Sequence, residues 1–313
     1  MNEIQGMEKP HRLTDPLLVT LIASLCCLLW GSAFPSIKLG YIAFNIMPED
    51  IGSKFVFAGY RFILAGLLLL TLYRLIRKRK FALSGRQWTS LSMLGIMQTG
   101  LQYMFFYIGV SNTTGVKGSI VNATATFFSV VLAHFLYQND KLSSKKVIGC
   151  VLGFIGVIIV NFNTDLLSFS VSYTGEGFVI AAAFIFSITA IYAKHLTSSM
   201  DVLVVTGFSL FVGGLTLALL GLLLGGRVTH FTLESTSNLI YLVLLSSAAF
   251  FLWNMLLKYN KVGKVSVYNF LIPVFGALLS AVFLGESIME LKNLIALLFV
   301  SIGIYIVNRA SSA

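Results

Sequence analysis

KVSVYNFLIPVFGALLS, residues 264–280, is apolar enough to cross a bilayer, yet it carries a lysine, an asparagine and a proline. How this stretch is read decides the fold. A second stretch, KGSIVNATATFFSVVLA at 117–133, repeats its pattern. Lys117 aligns with Lys264, Ser119 with Ser266, Asn122 with Asn269, Phe128 with Phe275 and Leu132 with Leu279, always at an offset of 147. The match runs without a gap from Gly115 to Asn161, where GVIIVN (156–161) meets GIYIVN (303–308).

Composition supplies the setting. Of 313 residues, 57% are hydrophobic and only 11% charged, against about 25% charged in ordinary soluble domains. The mean hydropathy of +0.88 points to a polytopic membrane protein. A span needs about 20 mostly apolar residues. Ten such runs are expected, near 17–39, 54–73, 89–110, 116–137, 145–163, 175–194, 202–224, 238–258, 264–284 and 291–308. The fold class is therefore all-α: ten transmembrane helices. The echo makes spans 4–5 recur as spans 9–10, so a five-span unit is duplicated. Five is odd, and the second copy must enter the membrane from the opposite side. The expected organisation is an N-terminal tail (1–16), a first repeat (17–163) and an inverted second repeat (164–310). Inverted repeats of this kind mark transporters whose halves rock about a midplane site.

The net charge of +10 raises the question of nucleic acid. The distribution of the charge answers it. With the N-terminus inside, sixteen of the 22 Lys and Arg residues fall in cytoplasmic segments, five in outer ones, and Arg61 within span 2. The run LYRLIRKRK (72–80) is the main anchor. Loop bias of this kind orients membrane proteins, so the expectation is a plasma (inner) membrane protein with both termini cytoplasmic and no nucleic-acid partner. Cys26, Cys27 and Cys150 lie in apolar runs without metal-ligand spacing and read as small apolar packers.

Several motifs carry a family resemblance. WGSAFPSIKLG (30–40), GYRFILAGLLLL (59–70) and FLIPVFGALLSAVFLGE (270–286) resemble the first-, second- and ninth-helix motifs of the drug/metabolite transporter superfamily, in its ten-helix branch with two EamA-type domains. The resemblance covers about 17–308. It implies inverted five-helix halves and transport of a small molecule through a central cavity lined by spans 1, 3, 4, 6, 8 and 9. The chain departs from the pattern twice. IAFNIMPEDIGSK (42–54) is long, and YQNDKLSS (137–144) lacks the family's glutamate, with Asp140 standing in for it.

Helical spacing groups the polar residues. One face of span 9 carries Ser266, Asn269, Pro273, Gly276 and Ser280. The matching face of span 4 carries Ser119, Asn122, Thr126, Ser129 and Ala133. Such a stripe either walls a cavity or lets helices approach closely, and both readings stand at this point. Gln98 and Gln102 share a face of span 3. Trp30 with Ser32, Tyr192 and Trp253 are further candidates for the wall. Pro35 is expected to end or kink span 1. Arg61 is either functional or snorkels outward. Lys117 and Lys264 are end anchors or an anion-attracting ring. No carboxylate falls mid-span, so a facilitator or exchanger is expected, or weak coupling through Glu176 and His134.

The expected function is secondary transport or export of small neutral, zwitterionic or amphipathic metabolites such as amino acids. The alternatives are anionic or phosphorylated solutes such as nucleotide sugars, or a receptor or assembly subunit that transports nothing. The four histidines are scattered, no intramembrane acids are paired, and no Walker motif is present. The reading is therefore a non-enzyme without cofactor or metal, whose partners are a small-molecule substrate and the bilayer, acting as a monomer or homodimer.

Overall fold

The computed structural model describes residues 11–78, 83–113, 115–162, 172–284 and 291–311. Among them every regular element is helical. Helix α1 is Pro16–Ala43, α2 Ile51–Arg77, α3 Gly85–Gly95, α4 Gln102–Ser111, α5 Gly115–Asn122, α6 Thr124–Leu136 and α7 Ser144–Val160. Helix α8 is Phe178–Ser199, α9 Val202–Leu223, α10 Leu233–Tyr259, α11 Val262–Ser266, α12 Leu271–Leu284 and α13 Leu291–Ser311. A π-helical turn, Ile96–Leu101, joins α3 to α4, and another, Tyr173–Gly177, leads into α8. A 3₁₀ turn, Val267–Phe270, joins α11 to α12.

Helix starts follow side-chain capping, because the first turn's N–H groups need acceptors. Asp15 accepts from Leu18 N, with Pro16 in the first turn, and Asp50 accepts from Ser53 N. Ser84 with Gln87, and Thr232 with Ser235, form capping boxes. Asp201 caps α9. Pro35 does not end α1: the helix continues through it to Ala43.

Among the described residues eight helical segments are long and apolar enough to cross a membrane. The expected runs at 89–110 and 145–163 take other forms. The first is broken by the π turn into α3 and α4, and the second is the 17-residue α7. Large apolar side chains face outward in stripes, including Leu17, Leu21, Leu25 and Leu28 on α1 and Leu291, Leu294, Leu298 and Ile302 on α13. Apolar surface on this scale is stable only against lipid.

Two helix pairs form the frame. Helix α2 packs along α9, and α7 along α13. The α2–α9 seam is set by glycines seven apart: Gly52, Gly59 and Gly66 on α2, Gly207, Gly214 and Gly221 on α9. A Cβ on Gly66 would lie 2.5 Å from Phe211 N and 2.6 Å from Gly207 O, and one on Gly221 would lie 2.6 Å from Gly52 O. Residue 52 therefore meets 221 while 66 meets 207, so the helices run antiparallel with their backbones in contact. The remaining contacts cross the molecule. Helix α1 packs on α10 and α12, α8 packs on α4 and α6, and α6 meets α11.

Gly66→Leu should therefore destabilise the protein by at least ~1–3 kcal/mol through overpacking. Gly85, which has nothing within 4 Å of a Cβ, should accept alanine with a change below about 0.5 kcal/mol. Thermal melting of the two detergent-purified variants checks this; equal melting temperatures would contradict the seam.

Candidate functional site

A cavity of about 390 Å³ lies between the two frame pairs. Trp30 and Tyr41 of α1, Arg61 of α2, Gln102, Tyr103, Phe106 and Tyr107 of α4, Ser119 and Asn122 of α5, Phe186 of α8, Phe250 of α10, and Asn269 and Pro273 line it. Its mouth is marked by Lys38, Lys54 and Ser111, at the end where α1 finishes, α2 begins and α4 finishes. Towards the opposite end Val130, Ala133, Leu256, Leu257, Val262 and Val265 pack into one buried cluster. The cavity is thus open on one face and closed on the other.

The closed face is also tied by polar contacts. Asp140, in the α6–α7 connection, is 2% exposed. Its Oδ1 lies 2.6 Å from Lys146 Nζ, and its Oδ2 accepts from Gly263 N at 2.8 Å, at the start of α11. Lys146 also donates to Lys141 O. Lys194 of α8 donates to Leu257 O and Asn260 O at the end of α10. Asn260 in turn donates to Leu13 O ahead of α1. Sequence reading placed Asp140 only as a stand-in for the missing glutamate; its pairing across the molecule is visible only in three dimensions.

Asn122 and Asn269 both sit where their helices break. Asn122 is the last residue of α5, and Asn269 lies in the 3₁₀ turn before α12. The causes differ but act at the same place. Pro273 has no N–H to donate four residues back to Asn269 O. At the equivalent position Thr126 turns its N–H to Ala123 O, three residues back, at 3.1 Å. Non-helical backbone at membrane depth is tolerated where it lines a cavity, and both breaks do so. Asn269 is 6% exposed, and neither of its side-chain polar atoms has a hydrogen-bond partner among the described residues.

The other candidates separate clearly. Trp30, Gln102, Asn122, Asn269, Pro273 and Arg61 come together in the cavity wall. Ser32, Gln98, Thr126, Tyr192 and Trp253 are not among its lining residues. Ser32 bonds Leu29 O and the Tyr241 hydroxyl. Gln98 is buried within the π turn. Thr126 donates to Ser266 O at 3.4 Å. Tyr192 packs beside Leu196 and Phe208. Trp253 stands behind Trp30, edge to face with centroids 5.1 Å apart. Arg61 does not snorkel: it is 2% exposed and donates from Nε to Ser246 Oγ at 2.6 Å.

Lys264 lies in a separate groove beside Thr20, Tyr268 and Arg309, and Lys117 is half-buried at the start of α5. Glu176 accepts from Thr113 Oγ1 and Ser172 N, tying the start of α8 to the end of α4. His134 Nδ1 accepts from Leu142 N in the turn after α6. Sequence reasoning missed the tyrosine trio 41, 103 and 107 and the ring of Phe106, Phe186 and Phe250. Aromatics are too frequent in this chain to stand out, and only the geometry selects these.

A family model described as the EamA-like transporter family matches residues 17–162 and again 173–309. The chain belongs to the EamA-like transporter family. An uncharacterized transporter of Archaeoglobus fulgidus is 27% identical over 272 residues, covering 85% of this chain and 89% of that protein. The uncharacterized transporter YvbV of Bacillus subtilis is 25% identical over 297 residues, covering 94% and 92%. A protein solved by crystallography, 18% identical, superposes with a TM-score of 0.75 over 94% of this chain and 97% of its own, a likeness of fold. The resemblance to the drug/metabolite transporter superfamily read from the helix motifs is thereby borne out. The chain is a multi-pass membrane transporter, and its family and relatives are transporters rather than enzymes.

An asparagine with no partner destabilises a packed interior, and replacing it by an apolar residue of similar shape is neutral or stabilising. Asn269→Leu should therefore melt no lower than wild type while flux of a transported solute falls. Asn254, by contrast, donates to Thr206 Oγ1 at 2.9 Å, and Asn254→Leu should cost ~1–3 kcal/mol. Paired melting curves and liposome flux measurements distinguish a cavity role for Asn269 from a packing role.

Proposed function

We propose that the protein moves small neutral or zwitterionic metabolites with an apolar body across the plasma membrane by alternating access. In this reading ten spans form two inverted halves, 17–163 and 164–310, after an N-terminal tail at 1–16. The spans are α1; α2; α3 with α4; α5 with α6; α7; α8; α9; α10; α11 with α12; and α13. Both termini are cytoplasmic, and the unit is a monomer or homodimer.

The observation that carries the proposal is the cavity between the frame pairs, open at one face and sealed at the other. Alternating access needs such a site and a way to exchange its faces. The packing supports that exchange. Swapping each span for its counterpart turns α1–α10 into α8–α4 and α1–α12 into α8–α6, while α2–α9 and α7–α13 map onto themselves. All of these contacts are present. The antiparallel run of α2 against α9, the two successive family matches and the bias of lysine and arginine agree with it. The open mouth then faces outward and the Asp140 contacts seal the cytoplasmic side.

Single cysteines placed at Lys78 and Ser111, in a chain lacking its own three buried cysteines, should react with a membrane-impermeant maleimide from opposite sides. Ser111 should react from the outside, and a transported solute should lower its rate by shifting the protein to its other face. Same-side labelling would remove the inverted arrangement. Solute binding without counterflow in liposomes would favour a receptor.

A further inference from the structure

Among the described residues Arg61, 2% exposed, is the most buried charge without an ion-pair partner. It lies ten residues into α2, about 15 Å from that helix's start at 1.5 Å per residue. Among the described residues there are two ion pairs, Arg77–Asp201 and Lys146–Asp140, and neither involves Arg61. The described acids are occupied elsewhere or lie in end turns. Asp15, Asp50 and Asp201 cap helices, Glu176 accepts from Thr113 Oγ1 and Ser172 N, and Glu49 and Glu234 are in a loop and a first turn. No Asp or Glu is among the cavity-lining residues.

The guanidinium has five N–H donors in a planar fork. Among the described residues one is used, by Nε to Ser246 Oγ, and that hydroxyl is itself spent on Leu242 O. The guanidinium carbon lies 4.9 Å from the centre of the Phe62 ring, and Arg61 is one of the residues that line the cavity. A cation this buried needs a counter-charge, and the cavity is where one can arrive. The planar fork matches the two oxygens of a carboxylate.

We propose that Arg61 anchors the anionic end of the solute. The transported molecule carries a single carboxylate, held bidentately by the Arg61 Nη groups, and an apolar body that lies against Trp30, Phe106, Phe186 and Phe250. This rests on the transporter reading and narrows its solute from neutral or zwitterionic to one that bears a carboxylate, a zwitterion being one such case. One arginine at depth suits one negative charge. Lys38 and Lys54 stand at the mouth, and Lys54 is already bonded to Pro48 O beside Glu49 and Asp50. A phosphate or diphosphate would require further cations at the depth of Arg61, and none lines the cavity there. An α-amino group is compatible, because the aromatic faces and the Asn269 carbonyl accept it.

Purified protein is titrated with 3-phenylpropanoate, phenylalanine and phenethylamine, which share one ring and differ in charge. The two carboxylates should raise the melting temperature of wild type and the amine should not. Arg61→Gln should weaken carboxylate binding at least tenfold, and Arg61→Lys, which keeps charge but loses the fork, should fall between. Ser246→Ala removes the tether to α10 and should retain binding. If Arg61→Gln does not fold, phenylglyoxal modification of Arg61 in wild type, read by peptide mass spectrometry, replaces it; 3-phenylpropanoate should protect. The proposal is overturned if no carboxylate binds folded wild type, if the amine binds as well as the acids, if Arg61→Gln binds them unchanged, or if modification proceeds unprotected. Liposome flux separates the two readings. Carboxylate binding without flux would sink the transporter and leave the anchor, whereas flux of the amine alone would do the reverse.

Discussion

The contact between backbones along α2 and α9 is the constraint on which the other features depend. In lipid there is no hydrophobic gain from bringing two helices together, and dispersion and close approach must do it. Glycine at every second turn lets the chains touch along 14 residues of each helix, about 21 Å, and α7 and α13 repeat the device with Gly149, Gly156 and Gly303. At these glycines one backbone lies directly against the other helix. Helices paired so closely leave the crossing elements, α1, α4, α5, α6, α8, α10 and α12, to enclose a void.

Inside that void the polar inventory is small and specific. Two asparagines sit at broken turns, one guanidinium lies against Phe62, and rings cover much of the wall. The arrangement places the costly groups where a ligand or water can satisfy them. The sealed end keeps its own polar groups paired with each other. Asn269 in the cavity wall has no hydrogen-bond partner among the described residues, whereas Asp140, Lys146, Lys194 and Asn260 at the closed face are bonded to one another or to backbone.

Much of the fold was legible in the chain because a bilayer imposes a length on every helix and leaves little choice of architecture. Asn122 and Asn269 stand out in the chain because the duplicated stretch pairs them at one offset, and Pro273 because it interrupts an apolar span. Ser32 and Gln98 do not line the cavity, and the reason lies in what helical spacing encodes. Helical spacing tells which residues share a face, not which neighbour that face meets, and Ser32 turned out to face Tyr241. The π turn at Ile96–Leu101 also shifts the register between Gln98 and Gln102, so only the second reaches the cavity. The glycine heptads were in plain view at 52, 59 and 66 and at 207, 214 and 221; a search for seven-residue spacing of small residues would have found them.

In the alternating-access cycle proposed above, the Asp140 contact has a kinetic corollary. With its partners 1% and 5% exposed, the pair with Lys146 is out of reach of dissolved ions while that face is shut. Salt screens exposed charges and hardly touches buried ones. Ionic strength therefore cannot loosen the shut state, but it can compete for Asp140 and Lys146 once they are wetted. The time spent with the opposite face open should lengthen in concentrated salt, while the rate of leaving the shut state stays the same. A carboxylate that serves both a neighbouring lysine and a helix start thus makes one arm of the cycle sensitive to electrolyte and leaves the other indifferent.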